Sequence, residues 1–379
     1  KLWKHHAAQS EANDINKIGL KYSEEFITAY GGKYSSEWFF SKLLETVREA
    51  PKVYAAAERF IEAGDWLVWQ LTGLEKRCLS AAGFKAMRVS RTKNKRGWTY
   101  PSKSFFKSLN PKLTNVIGDK MESEIISLGS HAGGLTEKMS KLTGLLPGTP
   151  VAAANIDAHA AVPASTVTGP GKLVMIMGTS TCHLLAAKKG KQVEGVCGIV
   201  KDGVIPGFWG YEAGQSGVGD VFAWFIENGV PTETSMAAKR ADIDIYQYLE
   251  QQATQLSPAE SGLLALDWWN GNRSILVDAD LSGLLIGQTL ATRPHEIYRA
   301  LLEATAFGTR QIIEAFTSQG VIIEELIACG GLASKNPLML QIYSDVTGRL
   351  IKVAASDQAS ALGAAMYGAV AANVHSDIT

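Results

Sequence analysis

The chain has 379 residues, which at roughly 150 per domain allows two or three domains and excludes a single small module. Hydrophobic residues make up 46% and charged residues 20%, so a sizeable core can form and intrinsic disorder is excluded. Lys plus Arg total 37 and Asp plus Glu total 37, so no overall field draws the protein to nucleic acid or to an anionic membrane.

A small, locally recognised ligand is therefore expected, with no nucleic-acid or membrane partner. The four cysteines, Cys78, Cys182, Cys197 and Cys329, are scattered without CxxC spacing, which suits a reducing cytoplasm rather than a disulfide-stapled secreted domain. No apolar run reaches the roughly 18 residues of a membrane-spanning helix, and the opening KLWKHH has no signal-peptide pattern. The sequence begins without Met and inside a helical pattern, as a piece of a longer protein would.

From residue 1 to about Gly73 the apolar spacing is helical, as in Phe60, Ile61, Gly64, Leu67, Val68 and Leu71, with Gly73 as a C-terminal stop. Residues 88–110 combine a basic run between Arg88 and Arg96 with Gly97, Pro101 and serines, and read as an exposed, solvated loop. Turn residues crowd 142–150, and beyond them short apolar runs alternate with helical stretches. A domain boundary is placed there, giving domains 1–148 and 149–379, the second of α/β class. Predicted strands cover 151–156, 172–177, 183–186 and 326–329. A long amphipathic helix covers 297–316, with Ala300, Leu301, Ala304 and Gly308 on one face.

Four constellations could carry chemistry. Asp157 follows the apolar run 151–156 and precedes a helical stretch, either as a helix cap or as a general base at a strand's C-terminal end. Gly178, Thr179 and Ser180 join two β-like runs, as a simple hairpin turn or as a loop whose hydroxyls meet phosphate oxygens. Segment 207–220, GFWGYEAGQSGVGD, reads as a loop before a helix at 221–227. Trp209 and Tyr211 there could stack on a polyhydroxylated ligand or pack in the core, and Glu212 between them could accept from its hydroxyls. Gly330 and Gly331 follow a strand and precede a helix started by Asn336 and Pro337 and running through Gln341 to Gly348, with a returning strand at 349–355. That turn could hold a nucleotide or simply connect the elements; it is not a GxxxxGK[ST] loop. An Ala- and Gly-rich helix at 359–372 is expected to pack closely on this unit. His5 and His6 are adjacent without a completing acidic or Cys cluster, so no metal-ligating residues are expected. No GxSxG or HExxH run occurs.

In their order and spacing, Asp157, the Gly178-to-Ser180 turn, Gly330 and Gly331 before Asn336 and Gln341, and the run ALGAA at 361–365 resemble the FGGY carbohydrate kinases. Segments 207–216, 82–86 and 267–273 (DWWNGNR) are similar to the branch that acts on L-ribulose in arabinose catabolism. The resemblance implies a two-domain actin-like (ribonuclease H-like) α/β sugar-kinase fold around a cleft. It implies ATP and Mg²⁺ with a small sugar, L-ribulose, as substrate, and Asp157 as the base that takes the proton of the attacking hydroxyl. It further assigns Gly178, Thr179 and Ser180 to phosphate, Gly330, Gly331, Asn336 and Gln341 to the nucleotide, and Lys85, Asp157 and Glu212 to the sugar.

Such kinases begin with a strand and a phosphate-gripping DxGT-type turn, and no such turn precedes Gly178. The first domain is therefore expected to be incomplete and the chain a fragment. Two alternatives stay open: a non-catalytic actin-like nucleotide-binding module, and a kinase for another pentulose or a pentitol. Assembly into a homo-oligomer is left open as well.

Overall fold

The strand Lys172–Met177 (β1) turns alternate side chains to opposite faces, and that alternation organises the core. Leu173, Met175 and Met177 lie on one face, packed with Val221 and Phe222 of helix Gly219–Asn228 and Leu301, Ile312 and Phe316 of helix Pro294–Ser318. Val174 turns to the other face, where Ala158, Ala161 and Val162 of helix Asp157–Ala164 and Tyr367 of helix Ala359–Ala371 cover it. With apolar layers on both faces, β1 reads as a near-continuous hydrophobic run, as a doubly covered strand should. The computed structural model describes residues 1–3, 5–90 and 97–378.

β1 belongs to a six-stranded mixed sheet with Thr181–Ala187 (β2), Gly198–Lys201 (β3), Trp209–Gln215 (β4), Glu325–Cys329 (β5) and Ile351–Val353 (β6). Their spatial order is β6-β5-β1-β2-β4-β3. β6, β5 and β1 run parallel, while β1, β2, β4 and β3 pair antiparallel in turn. The helices that bear on the site are Leu79–Phe84 (α1), Asp157–Ala164 (α2), Gly219–Asn228 (α3), Pro294–Ser318 (α4), Pro337–Thr347 (α5) and Ala359–Ala371 (α6).

The first 73 residues are largely helical, in four longer helices and one short turn, and bury Phe26, Tyr30, Tyr34, Phe40 and Leu44 with Phe105 and Phe106. Helix Ala63–Thr72 ends at Gly73 in the left-handed region, as the spacing predicts, but Leu67 of the expected apolar stripe is 53% exposed. Val68 of that stripe is buried as expected, and Asp65 and Thr72 share its face.

The expectation of an exposed loop over 88–110 is overturned where the chain is described. Val89–Ser90 pairs antiparallel with Trp98–Thr99, and helix Lys103–Leu109 drives Phe105, Phe106 and Leu109 into the core. Ser102 caps that helix by accepting the Phe105 N–H. Arg91, Lys93, Lys95 and Arg96 of the basic run lie outside the described residues.

The strand expected over 151–156 spans only Pro150–Ala152 and pairs back onto His131–Gly134, across the turn-rich stretch between them. Helix α6 packs closely against α2: a Cβ on Gly363 would fall on the Ala160 carbonyl. Among the described residues, no helix is long and apolar enough to cross a membrane.

Candidate active site

β1 and β5 are parallel neighbours in register, Ile176 beside Cys329, so their C-terminal ends open side by side. That is where α/β sheets place ligands. β1 runs into the Gly178, Thr179, Ser180 turn, closed by the Gly178 N–H donating to the Ser180 carbonyl at 2.9 Å. Thr179 is exposed at its tip, and the turn's carbonyls accept from Val218, Gly219 and Asp220 at the start of α3. β5 runs into Gly330 and Gly331. Gly330 has φ +95° and a Cβ on it would lie 2.5 Å from the Met177 carbonyl, so this turn presses directly on the end of β1 that leads into the hairpin. Gly331 has nothing within 4 Å of a Cβ position and is open to a ligand.

Asn336 is almost wholly buried. Its Oδ1 accepts the Met339 N–H at 2.8 Å, starting α5 with Pro337 in the first turn, and its Nδ2 donates to Tyr298 Oη at 3.0 Å. The Oδ1 end of its amide and one of the two Nδ2 hydrogens are thus engaged inside the protein, where they shape the turn. Gln341 is exposed on α5 and donates to Asp345 at 2.8 Å.

Asp157 is exposed at the first position of α2, where a helix favours a negative side chain. Its Oδ1 accepts the N–H of Ala158 at 2.9 Å, while the N-cap position is taken by Ile156. Glu212 lies not in a loop but inside strand β4, paired with Leu184 on one side and Gly198 on the other. This corrects the loop reading of 207–220. Strand alternation sends Tyr211 to the opposite face, fully buried at 5.8 Å from Phe316, so it is core and not a stacking platform. Trp209 lies over Gly190, at the far end of β4.

Glu212 is 6% exposed and its Oε2 lies 3.1 Å from Nε2 of His159, a wholly buried residue of α2. Lys85 follows α1 directly, half-buried, with Nζ 3.8 Å from Glu62. Its carbonyl accepts from Tyr34 Oη and from the Phe39 N–H.

Beside this group lies a buried ion pair, Arg273 Nε to Glu37 Oε2 at 3.0 Å, with the Arg273 guanidinium stacked 4.8 Å over Trp3. Burial pushes the Cys182 thiol up to about 12, opposed by Arg273 and assisted by Glu212, Asp157 and Glu37. Arg273 Nη1 lies 4.0 Å from the Cys182 sulfur, near the start of β2 and next to the hairpin. Deeper in the sheet Gln215 donates to Asp267 at 2.6 Å, and burial lifts that carboxyl to about 6.

The structure thus groups Gly178, Thr179, Ser180, Gly330 and Gly331 at neighbouring strand ends, and ties Glu212, through His159, to the helix that Asp157 begins. Glu37 and His159 are invisible to the sequence reading. Glu37 has no local motif, and His159 stands only as the third residue of DAH at 157–159. Among the described residues no set of three or more His, Cys, Asp or Glu side chains is arranged to hold a metal ion. A cavity of about 420 Å³ lined by Leu20, Glu24, Val89, Lys191 and Trp209 lies at the far end of β4 and includes none of Lys85, Asp157, Glu212 or the two glycine turns.

Residues 173–372 match the model of the FGGY family of carbohydrate kinases, C-terminal domain. Over 372 residues, 98% of the chain, it is 55% identical to a ribulokinase of Geobacillus thermodenitrificans and 56% identical to one of Halalkalibacterium halodurans. It spans 65% of the length of each. A solved xylulose kinase from Lactobacillus acidophilus superposes with a TM-score of 0.79 at 16% identity, covering 100% of this chain and 71% of its own, which places the fold among the actin-like sugar kinases. The chain belongs to the FGGY family of carbohydrate kinases.

Proposed function

We propose that the full-length protein transfers the γ-phosphoryl group of ATP to the terminal hydroxyl of L-ribulose in the cytoplasm, with residues 1–148 on the sugar side and 149–379 on the nucleotide side. The observation that carries this reading is the exposed carboxylate of Asp157 at the start of the helix whose His159 meets the buried Glu212, in a chain whose relatives at 55–56% identity are called ribulokinases.

Phosphoryl transfer asks a protein for positioning and for donors aimed at charged oxygens. Asp157 accepts the proton of the sugar hydroxyl as its oxygen attacks phosphorus, and the leaving group is ADP. The Thr179 and Ser180 hydroxyls donate to phosphate oxygens, and the open Gly331 lets the nucleotide lie against the backbone. Glu212 accepts from, and Lys85 donates to, the sugar hydroxyls. Mg²⁺, a hard cation that keeps several of its waters, would arrive on the phosphates. When bound it would neutralise phosphate charge.

The test is ADP release by the full-length gene product with MgATP and L-ribulose, beside D-xylulose, D-ribulose and ribitol, and beside Asp157→Asn. Turnover highest on L-ribulose and reduced at least about 100-fold by Asp157→Asn is expected, the scale of a lost general base. Nucleotide binding with no turnover on any sugar would favour a non-catalytic module, and a preference for another acceptor would reassign the substrate.

A further inference from the structure

His159 touches all three elements that carry the proposed sugar-binding groups. It sits on α2, two residues after Asp157. Its Nε2 meets Oε2 of Glu212 on β4 at 3.1 Å. Its Nδ1 lies 3.1 Å from Oγ of Ser80, on α1, the helix that delivers Lys85. The ring also stands edge-on to Phe84, the residue before Lys85, with centroids 4.6 Å apart.

The surrounding donors and acceptors orient this ring. The Ser80 hydroxyl donates to the Gly203 carbonyl at 2.6 Å, so its oxygen faces Nδ1 as an acceptor. The Gly203 carbonyl lies 3.3 Å from Nδ1 and can only accept. Nδ1 therefore carries a proton. Nε2 faces a carboxylate oxygen, so the proton of this contact lies between Nε2 and Oε2, a hydrogen bond within the protein interior. Arg273, whose charge is felt by Glu212, is taken up by Glu37, and among the described residues His159 is the side chain bonded to the Glu212 carboxylate.

We propose that His159 is the positioning residue of the sugar site: it holds Oε2 of Glu212, leaves Oε1 as the acceptor for a sugar hydroxyl, and sets that carboxylate in register with Asp157 and Lys85. This rests on the reading of Glu212 as a sugar ligand.

The side-chain amide of Gln can reach the place of Nε2, whereas that of Asn can replace only Nδ1. In the full-length protein His159→Asn is expected to raise the KM for L-ribulose about 10- to 100-fold, the range of a hydrogen bond to a charged group. The KM for ATP stays within about twofold, and His159→Gln recovers most of the loss. Equal behaviour of the Asn and Gln variants, or an unchanged sugar KM in His159→Asn, would overturn the proposal.

Glu212→Gln separates the two readings. If it leaves the sugar KM unchanged, the assignment of Glu212 itself is wrong; if it raises the KM while His159→Asn does not, only the positioning role fails. Should the His159 variants not fold, ¹⁵N NMR of the wild-type imidazole decides. Protons on both ring nitrogens and an Nε2 signal that moves with L-ribulose support the proposal, and an unprotonated or unmoved Nε2 rejects it.

Discussion

Arg273 and Glu37 are 236 residues apart in the chain, yet their side chains meet at 3.0 Å with almost no solvent exposure. The pair clamps the start of helix Phe39–Glu49 to the segment that follows Trp269. Burial alone would raise the Glu37 carboxyl, but Arg273 and His6 outweigh it and hold it below the usual carboxylate range. A lowered folded-state value means that this stability is complete above the unfolded carboxylate value of about 4.3 and is lost as pH falls through the folded one. Removing either partner strands a buried charge. Glu37→Gln and Arg273→Met should each cost about 3–5 kcal/mol in urea unfolding at pH 7, and the double variant less than the sum. Single variants within about 1 kcal/mol of wild type would show that the clamp carries no stability.

The two glycines after β5 should respond differently. A side chain on Gly330 meets both a left-handed backbone and the Met177 carbonyl, so Gly330→Ala should lower the melting temperature and raise the KM for ATP together. Gly331 has free space around it, and Gly331→Ala should fold like wild type. If the nucleotide lies against that backbone, the same variant raises the KM for ATP about tenfold and leaves the sugar KM alone, as loss of about 1.4 kcal/mol would. An unchanged ATP KM with normal stability would remove the turn from the nucleotide site.

What local pattern can reveal of this molecule is local. Residues 172–177 alternate over apolar side chains and form β1 with those bounds, and Asn336 with Pro337 starts α5 as capping chemistry requires. The many glycines around Glu212 suggest a loop. In β4, however, Gly210 and Gly214 are small so that Val204 and the Thr181 carbonyl can approach, 2.6 and 2.7 Å from where a Cβ would sit. Glycine marks close packing there, and the spacing of aromatics does not tell which strand face each will take. The Glu37–Arg273 and Glu212–His159 pairs are tertiary, and no spacing in one sequence encodes them.

Asp65 offers a pH test in the helical part. It is 3% exposed, and burial raises its carboxyl to about 7 although its Oδ1 accepts the Cys78 N–H at 2.8 Å. A raised acid binds its proton more tightly when folded, so the folded state loses stability as pH rises from about 4 to about 7. Asp65→Asn keeps the acceptor and removes the charge. It should flatten that slope and be more stable than wild type at pH 8 by about 1–3 kcal/mol, since each tenfold difference in proton affinity between folded and unfolded states is worth about 1.4 kcal/mol. Parallel pH profiles of the two proteins in thermal unfolding would reject this account.

Helix α6 allows a test in which ordinary helix propensity and tertiary packing predict opposite signs. Replacing an exposed helical glycine with alanine normally stabilises by about 0.5–1 kcal/mol. Gly368 has nothing within 4 Å of a Cβ position, so Gly368→Ala should follow that rule. Gly363, five residues earlier, rests against the Ala160 carbonyl of α2. Gly363→Ala must push the helices apart and should destabilise by about 1–3 kcal/mol. Because Asp157 stands one turn before Ala160, the displacement carries the proposed base with it, and an ångström of misplacement can cost about 100-fold in rate. The expected signature is a fall in kcat for L-ribulose phosphorylation with little change in the KM for ATP, seen with Gly363→Ala and absent with Gly368→Ala. If both variants gain stability and keep kcat, α2 is not held at Gly363, and the placement of Asp157 must come from the Glu212 and Ser80 bonds to His159 alone.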